Sequence, residues 1–261
     1  MTHLVYPADY FNPKAVDEAF EEEALAMKNV GFTVVTEKER IIPDVVYLYR
    51  GWMKSSSEYQ AWEDHVTLNG GQLLTSTKDY LRAHHLPNWY DTVHDLTPKT
   101  LITSLDNVDE EMKASGWERF FVKDFVKSLT QARGSIAQSP QEVHEILDQL
   151  EAWKGIEGGV CLREVHDFIS STEKRYFASF GQLFSPDHTV SPLAQSVAER
   201  LNLPFISIDL IQDKAGKEWL VEIGDGQVSD IKSPWTPSDF ANQMKTFFSL
   251  PKPSNPSLRP R

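Results

Sequence analysis

Residues 205–231 read Phe205-Ile-Ser-Ile-Asp209-Leu-Ile-Gln-Asp213-Lys-Ala-Gly-Lys217-Glu-Trp-Leu-Val-Glu222-Ile-Gly224-Asp225-Gly-Gln-Val-Ser-Asp-Ile231. Two apolar runs, 205–211 and 219–223, flank a polar turn from Asp213 to Lys217. That is a β-hairpin pattern with a loop of about four residues. Pairing Asp213 with Glu218 places Ile211 opposite Leu220, and Asp209 opposite Glu222. Directly opposed side chains share one face with Cβ atoms about 5 Å apart, and like charges in that position are destabilising.

A shared cation removes the conflict. Oxygen ligands of this kind suit Mg²⁺, which takes one or two carboxylates and fills its remaining positions with substrate phosphates. Two alternatives stay open: one carboxylate turns to solvent, or the register differs by a residue.

Length and composition set the outer bounds. A chain of 261 residues holds one large core or two to three small lobes. A net charge of −12 and a pI near 5.1 argue against nucleic acid or an anionic membrane as partner. The lone cysteine, Cys161, excludes an internal disulfide and suits a reducing compartment. No basic segment followed by an apolar core opens the chain, and no apolar run nears the roughly 18 residues of a membrane span. A cytoplasmic location is expected by elimination.

Residues 1–90 alternate short strands (4–6, 32–35, 45–49, 73–75) with helices (12–29, 57–68, 77–85), which predicts a small parallel α/β sheet. Arg50 and Trp52, at a strand end, are candidate ligand contacts or plain surface and packing residues. Residues 86–100 read as a linker into a second lobe. There, strands are expected at 101–103, 119–127, 160–165 and 173–184, with helices at 106–115, 139–153, 192–201 and 237–250. Ser139 and Glu142 form a capping-box pair. The tail 251–261 is expected to be disordered. The fold class is therefore α/β and α+β: a parallel N-terminal lobe (1–90), then two α+β lobes, about 96–160 and 160–250, clasping a ligand.

Five strands of the second half carry charges inside apolar runs: Lys123, Arg163-Glu164, Glu173 with Arg175, Asp209 and Glu222. Buried charges are costly unless paired. On facing sheets these three cations and four anions would line a cleft. Lys and Arg suit phosphate oxygens and the hairpin carboxylates suit the metal, while the polar loop 128–139 could cover a triphosphate. The same set could instead be internal ion pairs. Lys127 shares the Lys123 face but sits at the strand end. No Walker loop, Gly-x-Gly-x-x-Gly, zinc spacing or Gly-x-Ser-x-Gly is present. His166 is assigned to a strand end, and Cys161 is a packed thiol.

This order of features resembles the ATP-grasp family of ATP-dependent carboxylate–amine ligases. Lys123 in Phe-Phe-Val-Lys-Asp is similar to that family's second nucleotide lysine. Residues 162–165, Leu-Arg-Glu-Val, resemble its adenine-holding hinge, and Asp209 with Val-Glu-Ile at 221–223 its metal-binding acidic pair. Arg163-Glu164, Glu173-x-Arg175 and the run 222–229 resemble the clade named for two arginines and a lysine. The resemblance implies ATP and Mg²⁺ as cofactors, and a small-molecule or peptide carboxylate and an amine as substrates. It implies an acyl-phosphate intermediate and release of ADP. Lys123, Arg163 and Arg175 would serve the phosphates and Glu164 and Val165 adenine, with Glu173 at the ribose. Asp209 and Glu222 would hold the metal. Lys78, then Lys99, are the candidates for the first family lysine. Position 224 departs from the family's Glu-x-Asn, so Asp225 is the candidate for the missing oxygen. A non-catalytic nucleotide-binding module and a nucleotidyl transferase are the competing classes. Oligomeric state is not encoded in any recognisable feature.

Overall fold

The computed structural model describes residues 2–129 and 133–249. The expected tail at 251–261 lies outside the described residues, as do 130–132 of the polar loop.

The first unit is a parallel sheet of β1 (Thr2–Tyr6), β2 (Thr33–Thr36), β3 (Val46–Tyr49) and β4 (Gln72–Leu73), ordered β2-β1-β3-β4. α1 (Glu21–Asn29), α2 (Ser56–Leu68) and α3 (Thr77–His84) connect its strands and lead out of it. Ser55 and Glu58 cap α2 reciprocally, satisfying amides that the first turn leaves without partners. α1 starts later than the sequence suggests. Asp9 takes the amides of Phe11 and Asn12 at 3.0 and 2.7 Å, and Asp17 takes that of Ala19 at 2.9 Å. These short acidic side chains compete for the backbone ahead of α1, and Asp17 caps a single 3-10 turn at Glu18–Phe20 before the helix begins.

The expected linker is also different. Residues Leu86–Val93 form a helix, α4, with Pro87 in its first turn, where proline is tolerated. Its buried Leu86, Trp89 and Val93 join the core beneath α7 (Pro192–Leu201).

Two antiparallel sheets follow. One is β5 (Thr100–Thr103), β8 (Val160–Glu164), β6 (Phe120–Asp124) and β7 (Ile136–Ala137), ordered β5-β8-β6-β7 and backed by α5 (Val108–Ser115) and α6 (Pro140–Lys154). β6 ends at Asp124, not 127, because the Asp124 carboxylate turns back onto the amides of Val126 and Lys127. At the start of α6 the Ser139 hydroxyl takes the Glu142 amide, whereas the Glu142 carboxylate reaches Gln138 and Arg133. The pair is thus half of a capping box.

The other sheet is β10 (Gln182–Phe184), β9 (Phe168–Ser179), β11 (Ile206–Asp213) and β12 (Glu218–Asp225), ordered β10-β9-β11-β12. α7 covers one of its faces. α8 (Pro237–Ser249) packs with Phe177 of this sheet, Phe205 just before β11, and Leu4 and Leu48 of the parallel sheet in one core. The parallel unit is therefore seated on the last antiparallel sheet rather than tethered to it. Among the described residues, no helix is long and apolar enough to cross a membrane.

Candidate active site

Asp209 and Glu222 pair directly across β11 and β12, as the sequence pattern requires. The register then slips: Leu210, not Ile211, pairs with Leu220. The turn holds one residue more than expected, and β12 compensates with a bulge at Val221. A bulge re-aims side chains and frees backbone groups from the ladder. Val221 and Glu222 both line a cavity, while Leu220 and Ile223 stay in the core. The carbonyls at the bulge are taken up by the segment leading into β5 and by β8. Thr97 Oγ1 donates to Leu220 O at 2.7 Å, and Arg163 Nη1 donates to Val221 O at 2.6 Å.

The cavity lies between the two antiparallel sheets, with a volume of about 360 Å³. One end is charged: Lys123, Arg163, Glu173, Asp209 and Glu222. Lys123 Nζ donates to Glu222 Oε1 at 3.2 Å. Burial raises the Glu222 carboxyl, but the Lys123 ammonium, with Arg175 and Arg163, more than offsets this and holds it below the ordinary glutamate value. Arg175 does not line the cavity. It grips Asp209 through Nε and Nη2 at 2.7 and 2.5 Å, and its Nη1 donates to Asp230 O at 3.1 Å. Lys232, not singled out from sequence, reaches Glu173 at 2.9 Å and Asp209 at 3.6 Å.

The other end is apolar and aromatic. Phe121, Ile136, Phe168, Ile211 and Val221 line it with Glu164, Val165 and His166. The His166 ring lies 4.4 Å from the Trp219 ring centroid and 5.7 Å from that of Phe168. Such walls accept a planar heterocycle. His166 is therefore part of the cavity and not only a strand end. Ser128, just past β6, and Ile136 of β7 line it as well.

The structure therefore brings together Lys123, Arg163, Glu164, Val165, Glu173, Asp209 and Glu222, with Arg175 behind Asp209. It does not bring in Lys78 or Asp225. Lys78 is exposed on α3 and is not among the lining residues. Lys99 is nearer: its carbonyl accepts the Glu164 amide at 2.9 Å, beside Pro98 in the wall. Asp225 is fully buried and points elsewhere, accepting from the amide and Nε2 of Gln227 at 2.9 and 3.0 Å. Its Oδ2 has no hydrogen-bond partner among the described residues, and burial pushes its pKa up to about 7. Asp225 is not among the residues that line the cavity at Glu222.

Position 224 shows why no side chain is there. A Cβ on Gly224 would lie 2.8 Å from Ser207 Oγ and 2.9 Å from Ser229 Oγ. These hydroxyls bond each other at 2.7 Å and occupy the space that an asparagine would fill. Ser207 pairs with Gly224 two residues along from the Asp209–Glu222 pair, so the hydroxyls extend the carboxylate face. Sequence reasoning had no signal for them except the missing side chain.

The donor set fits a nucleotide-borne Mg²⁺. Among the described residues, no three His, Cys, Asp or Glu side chains group as a metal cage. Two opposed carboxylates, one of them 46% exposed, match an ion that completes its shell with phosphate oxygens. Cys161 is fully buried and burial pushes its thiol up to about 12, so it is a packing group and not a nucleophile.

No curated protein matches the chain by sequence. Solved structures do match by fold. The chain is similar to a RimK domain protein ATP-grasp from Sphaerobacter thermophilus, at 13% identity and a TM-score of 0.62 over 94% of this chain and 98% of that one. It is similar to the D-cycloserine synthetase DcsG, at 15% identity and 0.62 over 95% and 99%. It is also similar to the ATP-grasp ligase PsnB complexed with minimal precursor, Mg and ADP, at 11% identity and 0.58 over 94% and 97%. At these identities the likeness concerns the fold. The sequence itself matches an ATP-grasp domain family, the third family of the clade named for two arginines and a lysine, over residues 94–244, which takes in the whole cavity. The chain belongs to that ATP-grasp family.

Proposed function

We propose that the chain is an ATP- and Mg²⁺-dependent ligase that joins a carboxylate to an amine through an acyl phosphate. The observation that carries this is the two-ended cavity. An aromatic end suited to adenine leads to an end where Lys123, Asp209 and Glu222 meet. Family membership brings ATP and Mg²⁺ as the cofactors. A D-cycloserine synthetase and a precursor-bound ligase among the structural neighbours support ligation as the reaction class.

In this account Glu164 and Val165 hold adenine between Phe121, Phe168 and His166, and Glu173 lies nearest the ribose. Lys123 and Arg163 supply positive charge to the phosphates. Asp209 and Glu222 would hold the metal, which would supply positive charge to the transferring phosphoryl group. A substrate carboxylate oxygen bonds to the γ-phosphorus as the bond to the β,γ-bridging oxygen breaks, and ADP leaves. The amine nitrogen then bonds to the acyl carbon, phosphate departs with the bonding pair, and the nitrogen gives up its proton. Lys99 replaces Lys78 as the candidate for a further phosphate contact.

The lobes would run 1–90, about 96–164 and 168–249; the boundary expected at 160 moves past β8, which belongs to the first antiparallel sheet. A cytoplasmic location suits both the ATP supply and a persistent free thiol at Cys161. Coupled assay of ADP release over paired carboxylates and amines tests the proposal. Release that requires both partners, and that falls at least a hundredfold in Lys123→Ala, supports it. Mg-ATP binding without turnover on any pair points instead to a non-catalytic module, and an AMP adduct on Lys123 to nucleotidyl transfer.

A further inference from the structure

The first antiparallel sheet is joined covalently to the rest of the chain at one end only. Residues 100–164 form one unit, entered at Thr100 and left at Glu164. These ends lie side by side, with Thr100 paired to Arg163. Both connections therefore sit at the same end of the cavity, where Pro98, Glu164 and Val165 are in its wall. β6 runs away from that end: Phe120 pairs with Glu164, and Asp124 with Val160. Lys123 is thus carried towards the far end of the sheet. A unit attached in this way opens and closes about its attached end, and contacts at the far end decide how readily it does so.

The far end is held. Glu157, just ahead of β8, accepts at Oε1 from Ser56 Oγ of α2 at 3.0 Å. The same oxygen bonds His85 Nε2, at the junction of α3 and α4, at 3.1 Å. The Glu157 amide donates to Asp124 Oδ2 at 3.2 Å, and its carbonyl accepts from the Phe125 amide at 3.3 Å. Phe125 O accepts in turn from the Leu86 amide at 2.8 Å. One glutamate therefore joins three parts of the chain: the parallel lobe through Ser56, the entry to α4 through His85, and the two residues that follow Lys123. The glycines after it make the fit. A Cβ on Gly158 would strike the Phe125 ring, and one on Gly159 would lie 2.9 Å from it.

The Glu157 side chain is 34% exposed and that of His85 15%. A partly solvated contact of this kind is weak, so it can part without unfolding either side. Glu157, Ser56 and His85 are not in the cavity wall. The contact therefore does not depend on what occupies the cavity, and it acts on opening in the free and the occupied protein alike.

We propose that Glu157 is a positioning residue for the nucleotide site: it fastens the free end of the first antiparallel sheet to the parallel lobe, and so sets how often the cavity opens and how firmly Lys123 is held over it. The proposal rests on the nucleotide reading of the cavity given above. The probe is N-methylanthraniloyl-ADP with Mg²⁺, mixed with the full chain by stopped flow for association and chased with excess ADP for dissociation. Glu157→Ala should raise the dissociation rate about fivefold. It should raise the association rate by a similar factor, leaving the dissociation constant within about twofold, because opening is eased in both states. Glu157→Gln, which keeps an oxygen for Ser56 and His85, should stay within about twofold of the wild type in both rates. The Ser56→Ala/His85→Phe double variant removes the other side of the contact. It should match Glu157→Ala, and it serves alone should Glu157→Ala fail to fold. A dissociation rate that changes less than about threefold overturns the proposal. So does faster dissociation with unchanged association, which is the pattern of a damaged binding wall. Wild-type protein that does not bind the labelled ADP sinks the nucleotide reading itself, and that is read before any variant is compared.

Discussion

Asp209 and Glu222 stand directly opposite each other on β11 and β12, and each is neutralised by a different cation: Arg175 takes both oxygens of Asp209, and Lys123 one oxygen of Glu222. The like-charge conflict in the hairpin is therefore relieved within the protein. The two cations differ in burial of their partners. Asp209 is 3% exposed and Glu222 is 46% exposed on the side chain. Glu222 is the oxygen donor most open to an arriving ion.

Arg175→Ala should leave the Asp209 carboxylate buried beside Lys232 alone, 3.6 Å away. Breaking a buried pair from one side costs about 3 kcal/mol. Arg175→Lys should recover less than half of that, because an ammonium cannot reproduce the two-pronged contact. Urea denaturation of the two variants checks both values.

Among the described residues, Arg163 makes no ion pair with a carboxylate; its donors go to Val221 O, Thr97 Oγ1 and Thr100 Oγ1. Arg163→Met should cost about 2 kcal/mol through the bulge carbonyl left without its donor. It should also weaken Mg-ATP binding about fivefold or more, since the bulge aims Glu222. A change in stability with unchanged nucleotide affinity would assign Arg163 to the scaffold alone.

Gly224→Asn restores the family's residue but drives a side chain into the Ser207–Ser229 pair. Overpacking of this kind costs about 1–3 kcal/mol. Adding Ser229→Ala should return part of it. A single variant as stable as the wild type in thermal denaturation would show that the hydroxyls do not fill the site.

Asp225 sets a pH dependence. Its folded pKa of about 7 lies above its ordinary value of 3.8, so the folded state holds a proton that the unfolded state has lost within that window. Stability from this group is full below about pH 4 and falls by about 1.4 kcal/mol per unit as pH rises towards 7. Asp225→Asn should flatten that part of the curve. Parallel stability curves for the two proteins between pH 4 and 7 would refute it.

Much of this site was legible because charges inside apolar strands are expensive and therefore informative. Lys123, Arg163, Glu173, Asp209 and Glu222 all stand out in that way, and the period-2 pattern correctly opposed Asp209 and Glu222. The bulge at Val221 was hidden, because one extra residue in a strand leaves the apolar pattern nearly intact. Asp225 looked like a ligand by proximity in sequence, yet it lies three positions past Glu222 on a twisted strand and turns into the core. Lys78 was one of many lysines, and nothing local marks a residue that must cross from one lobe to another. α4 was hidden in a stretch that reads as a linker, although its Pro87 sits in the first turn, where a helix tolerates proline. The serine pair at Gly224 depends on two segments meeting, which no single stretch encodes.

The proposed ligase binds Mg-ATP in the cavity between the antiparallel sheets through Lys123 and Glu222. Calorimetric titration with a non-hydrolysable ATP analogue, with and without Mg²⁺, tests it most directly in the wild type, Lys123→Ala and Glu222→Gln. Wild-type binding should strengthen at least tenfold with Mg²⁺. Lys123→Ala should weaken it at least tenfold in either condition, and Glu222→Gln should remove most of the Mg²⁺ enhancement. Mg²⁺-independent binding, or a Glu222→Gln protein that keeps the full enhancement, would contradict the account.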